Sequence, residues 1–245
     1  MHPLQIVIIA LFVLIHLFAG RLRFLDGIPR SRWLSVAGGI SVAYVFMHVF
    51  PELEAAQGRI GVKLRDVPFI EHHAYLFALI GLCVFYGLER VVRSAQQQHG
   101  GQPGGSGETT TGPGVFWLHV LSFGVYNALI GYLLVHREEQ DLRGLLFFSV
   151  AMGVHFLVTD FGLEQDHKDT YRRTGRWVLG GAVVVGWASG LIVSVDRMIT
   201  DLLFAFLAGA VVLNVLKEEL PRERQSRFSA FLAGAAIYAA LLLSS

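Results

Sequence analysis

Eight apolar blocks, each close to the length of a membrane-crossing helix, occupy most of this chain and leave it few folds to choose from. Crossing about 30 Å of hydrocarbon takes about 20 residues as helix. Residues 3–20, 34–56, 69–92, 114–136, 142–165, 176–195, 199–218 and 227–244 meet that length. With 53% hydrophobic and 16% charged residues, the chain is too apolar for an ordinary water-soluble domain. Backbone polar groups inside a bilayer must be paired within their own segment, so the pattern predicts an all-α fold, a polytopic integral membrane bundle of eight transmembrane helices. The net charge of +1 gives no sign of a nucleic-acid partner. A single cysteine, Cys83, excludes an intrachain disulfide.

The connections set an orientation. Those after the first, third, fifth and seventh blocks carry 14 of the 20 Lys and Arg. Positive charge marks the cytoplasmic side, so both termini are expected on the non-cytoplasmic side of a plasma (inner) membrane. The first block has neither a basic leader nor a small-residue cleavage pattern and is expected to be a retained span. Residues 94–113 are rich in Gln, Gly, Thr and Ser and read as a flexible cytoplasmic linker between helices one to three (1–93) and helices four to eight (114–245) of a single membrane domain. Small residues four apart, Gly186 and Gly190, Ala205 and Gly209, Ala230 and Gly234, are expected to let helices approach closely.

Orientation converts residue number into depth, and depth singles out the polar residues. His155 sits near the middle of the fifth block and Asp160 a turn and a half later. An ionisable side chain at that depth costs a few kcal/mol and normally faces a partner, a cavity or a pathway. Asn127 of the fourth block falls at about the depth of His155. His48, Pro51 and Glu52 lie in the outer half of the second block, where proline frees a carbonyl. The third block opens on Glu71, His72 and His73, and the fourth ends on His136. Asp160, Glu164 and His167 share one helical face on the inner side, with His119 nearby. Imidazole and carboxylate groups in such a trail suit zinc, and also iron or manganese. His155 and Asp160 stand about 140° apart around the helix, which separates their directions.

The segment from Gly39 to Glu52, ending His48-Val-Phe-Pro-Glu52, resembles the second span of the ZIP family of divalent-metal transporters. Glu71 to Arg90 is similar to that family's third span and Ala208 to Pro221 to its seventh. The resemblance implies eight spans, outward termini, a variable cytoplasmic loop after the third span and a metal centre between the fourth and fifth. The family's fourth-span pattern falls on Phe123 to Ala128, with Phe123, Gly124 and Asn127 at its ligand positions. Its fifth-span pattern falls on His155 to Gly162. There His155 and Gly162 match, Asp160 replaces a glutamate, Phe156 and Thr159 stand at ligand positions, and Val158 replaces a proline. So few ligands argue against a strong two-metal centre and fit a weak single site, a different substrate or no transport at all.

The function this implies is a permease that moves a divalent cation toward the cytoplasm by alternating access. His48, Glu52, His72 and His73 would serve in the outer vestibule, Asn127, His155 and Asp160 at the centre, and Glu164 and His167 at the exit. Protonation of His155 near neutral pH would weaken metal binding and favour release. The metal is substrate, no prosthetic group is expected, and the partners are the bilayer and the cation, with a homodimer allowed. The first alternative is a non-transporting structural or regulatory protein of the same fold, with Phe123 and Phe156 filling the centre. The second is a zinc-dependent intramembrane hydrolase, for which the sequence supplies no clear third imidazole at mid-membrane.

Overall fold

The computed structural model describes residues 3–19, 32–63, 72–99, 113–136, 142–219 and 228–243. The described residues are helical almost throughout, with no strand among them. In chain order the helices are α1 (Pro3–Phe18), α2 (Arg32–Tyr44), α3 (Phe50–Lys63), α4 (His73–His99), α5 (Pro113–Val135), α6 (Leu142–Thr170), α7 (Arg176–Ile192), α8 (Arg197–Asn214) and α9 (Phe228–Leu243). Five-residue π-helical turns, Val45–Val49, Tyr171–Gly175 and Val215–Glu219, join α2 to α3, join α6 to α7 and extend α8.

Local chemistry explains several of these boundaries. Proline opens α1 and α5, where its missing N–H costs nothing because the first helical donors have no partner in the helix. Pro51 lies just past the first π-helical turn, and the carbonyl it leaves unpaired is accommodated by that widened turn, so one continuous span runs Trp33–Lys63. Val193 to Asp196 break the helix, and the Asp196 carboxylate accepts the Met198 N–H at 2.8 Å to start α8. Lys63 reaches back to the same carboxylate at 2.8 Å and holds its pKa below the ordinary aspartate value, with the Met198 bond assisting.

Among the described residues, six helical segments are long and apolar enough to cross a membrane: Trp33–Lys63, His73–Ser94, Gly114–Val135, Leu142–Glu164, Tyr171–Ile192 and Arg197–Lys217. The first and last apolar blocks, expected as spans, form shorter helices of 16 residues, about 24 Å long. Large apolar side chains such as Leu79, Val125, Val185 and Ile237 face outward on these helices, an arrangement suited to lipid rather than water.

The loop expected between the fifth and sixth blocks is helical, because the chain passes from α6 through the π-helical turn into α7 without leaving helical geometry. A straight helix would set Asp160 and Gly180 about 30 Å apart. Both nevertheless meet His16 of α1, so the run bends between them, and the π-helical turn lies in that interval. At the expected linker, α4 continues to His99, and residues 100–112 lie outside the described residues.

Three helix pairs carry the close packing, and each is built on reciprocal glycines. Gly131 and Gly186 join α5 to α7, Gly81 and Gly209 join α4 to α8, and Gly39 and Gly234 join α2 to α9. A Cβ at any of the six would overlap backbone of the facing helix. The small-residue spacing noted in the sequence therefore does pack helices at Gly186, Gly190, Gly209 and Gly234. Between α5 and α7 the register advances in the same direction on both helices: Ala128 faces Gly186 and Tyr132 faces Gly190, so the two run parallel.

Candidate functional site

Polar side chains inside the bundle gather at three levels. At the centre, α1, α5, α6 and the Tyr171–Gly175 turn bring four of them together. His16 Nδ1 lies 2.8 Å from Asp160 Oδ2, the Tyr171 hydroxyl donates to Asp160 Oδ1 at 2.6 Å, and Asn127 Nδ2 sits 3.2 Å from His16 Nε2. Asp160 is wholly buried, and His16 and Asn127 nearly so. Local sequence puts Tyr171 in place: its ring lies over Gly175, where a Cβ would collide with it. A buried carboxylate needs its charge shared by donors, and the imidazole and phenol supply two.

His155 takes another direction, as its angular separation from Asp160 on the helix predicts. Its Nε2 meets the Tyr126 hydroxyl at 2.8 Å, with Thr159 Oγ1 at 3.5 Å. The Phe156 ring packs against His16 and, edge-on, against Phe12, so an apolar wall stands beside the His16–Asp160 pair. Phe123 is also buried, against Phe85 and Tyr126.

At one end of the bundle, a cavity is lined by Tyr44, His48 and Glu52 from the second span, Leu133 and His136 from α5, Phe148 and Met152 from α6, and Arg197, Asp201 and Leu207 from α8. Its walls are mainly apolar. Its charged rim is internally matched: Arg59 pairs with Asp201 through two nitrogens, at 3.0 and 2.9 Å, and with Glu52 at 3.2 Å, while Arg197 reaches Asp201 at 3.3 Å. His48 stacks on Tyr44 with ring centroids 5.0 Å apart. His72 and His73, expected beside them, do not line this cavity. His72 is exposed against Tyr75, and His73 is buried with neither ring nitrogen hydrogen-bonded.

Toward the opposite end, Glu164 is ion-paired with Arg172, and His167 Nε2 lies 3.0 Å from His119 Nδ1. His119 in turn faces Glu89 of α4. Glu164 and His167, adjacent on one helical face, thus have separate partners.

The candidate residues are therefore spread along the bundle. His48 and Glu52 share the cavity at one end, Asn127 and Asp160 meet through His16, and His155 stands apart with Tyr126. Among the described residues no three His, Cys, Asp or Glu side chains converge closely enough to hold a metal ion. Sequence reasoning missed His16, Tyr171, Tyr126, Glu89 and Lys217. His16 carried a usable signal, an ionisable residue within an apolar block, the same signal that marked His155. The tyrosines carried none, because a phenol in a membrane span is not costly enough to stand out. Comparison with models of known families and with curated proteins finds no match.

Proposed function

We propose that this chain is an eight-span, ZIP-like permease that passes a divalent cation of the zinc, iron or manganese class toward the cytoplasm, with both termini outside. In this reading α1 and α9 complete the six long spans. The observation that carries it is the wholly buried Asp160, a carboxylate whose described hydrogen-bond partners are an imidazole and a phenol rather than a lysine or arginine. An acidic group held at that depth is expensive and marks an ion pathway more often than a packing contact. The outer cavity with His48, Glu52 and His136 supplies an entrance, and Glu164 and His167 supply an exit. A cation arriving at the centre replaces the His16 and Tyr171 contacts of Asp160, and alternating access follows from the helices that carry those contacts moving apart.

One observation favours a second reading, a non-transporting protein of the same fold. Phe123 and Phe156 are buried at positions where the resemblance calls for ligands, and the central polar atoms are satisfied within the protein. Uptake of Zn²⁺, Mn²⁺ and Fe²⁺ into proteoliposomes separates the two. The permease reading expects saturable flux in the wild type that falls at least about tenfold in Asp160→Ala and His155→Ala, the loss typical of disturbed metal sites. Flux equal to that of protein-free liposomes for all three cations overturns it in favour of the non-transporting protein.

A further inference from the structure

A second cluster, beside the proposed exit at His167, combines Glu89 of α4, His119 of α5, and Asn214 and Lys217 at the end of α8. All four line one small cavity. Asn214 is 4% exposed, yet its side-chain nitrogen has no hydrogen-bond partner, which is costly for an amide in a membrane bundle. Glu89 Oε1 receives Lys217 at 2.6 Å and Arg93 at 2.8 Å. Glu89 Oε2 instead faces His119 Nε2 across 3.7 Å, too far for a hydrogen bond.

The other side of the imidazole explains that gap. His119 Nδ1 is 3.0 Å from His167 Nε2, so one of these two nitrogens carries the shared proton. When His119 donates it, the Nε2 lone pair points at the carboxylate oxygen, and two electron-rich atoms oppose each other. Zinc-class ions bind imidazole nitrogen and carboxylate oxygen at about 2.0–2.2 Å each, which spans a separation of 3.7 Å at an open angle. The Asn214 amide, turned about its last bond, presents a third, neutral oxygen to the same space.

We propose that Glu89, His119 and Asn214 form a binding site for a divalent cation of the zinc class, with His167 orienting His119 by accepting its Nδ1–H, as outer-shell partners of metal-bound histidines do. The Lys217 ammonium is the tethered cation that neutralises Glu89 while the metal is absent, and it swings away on its flexible stem when the metal binds. Only two of the three ligands are His or Glu, so the site is consistent with the lack of any three-membered His, Cys, Asp or Glu group among the described residues. The inference does not depend on transport, because a binding site here stands or falls by itself.

Titration of the purified, detergent-solubilised full chain with Co²⁺, read by its visible absorption, tests it. The wild type is expected to develop a ligand-field band, and Glu89→Gln, His119→Gln and Asn214→Leu each to weaken the affinity at least about tenfold. Cys83→Ser, an exposed position on α4 away from both sites, leaves that band unchanged. Lys217→Met is the decisive variant, since removing the competing ammonium is expected to tighten binding by about tenfold, and misfolding does not produce a gain. Absence of a band in both wild type and Lys217→Met, or the same affinity in Lys217→Met and Glu89→Gln as in the wild type, overturns the proposal. Such a result leaves the Asn214 cavity as a water site and says nothing against cation flux through the centre.

Discussion

Asp160 shows how much of a polar network a sequence can mark. Depth alone makes it conspicuous, because a carboxylate in an apolar span is costly. Its partner His16 is 144 residues away in the chain, and no local pattern links the two. Tyr171 lies nearer in sequence, but it reaches Asp160 only because the helical run bends. The network makes a residue-level prediction. His16→Ala leaves Asp160 with one of its two donors and strands the Asn127 amide, which is expected to lower stability by about 3 kcal/mol. Reversible unfolding in mixed micelles measures it. His155→Ala removes a neutral contact to Tyr126 rather than a charge partner and is expected to cost less. Equal losses in the two variants would remove the distinction between an ionic centre and an ordinary buried histidine.

The decisive device among the helices is the glycine pair. Gly186 and Gly181 lie on the same helix, but a Cβ at Gly186 would overlap the Ala128 carbonyl, whereas one at Gly181 meets nothing within 4 Å. Gly186→Ala is therefore expected to separate α5 from α7 at a cost of about 1–3 kcal/mol. Gly181→Ala should be neutral or slightly stabilising, since alanine favours helix. Thermal unfolding of the two variants side by side checks this, and matched midpoints would contradict the packing assignment. The small-residue pairs singled out in the sequence included Gly186, Gly190, Gly209 and Gly234 but not their counterparts Gly39, Gly81 and Gly131, and of these Gly81 and Gly131 have no small residue four positions away. Helix breaks were legible to a similar degree. Pro51 and Pro221, each two residues past a π-helical turn, signal the disturbances at Val45–Val49 and Val215–Glu219, while Tyr171–Gly175 has no proline near it.

For the whole molecule, the parallel pairing of α5 with α7 fits a chain that reverses direction at each span, and the Lys and Arg distribution gives that alternation a sign. In a Cys83→Ser background, a membrane-impermeant maleimide is expected to label Lys63→Cys in right-side-out vesicles and Ser94→Cys only in inverted ones. Both positions are exposed, so access rather than burial decides the outcome. The opposite pattern would reverse the membrane orientation and with it the direction of the proposed flux. By itself the sequence determined that the chain is helical and apolar enough to cross a membrane, and it marked His155 and Asp160 as costly, because hydropathy and charge act residue by residue along the chain. Only the tertiary structure decided which polar groups meet. The pairing of His16 with Asp160, of Tyr126 with His155 and of Glu89 with His119 depends on how bent helices rotate against one another, and that rotation is set by glycine contacts between segments far apart in sequence.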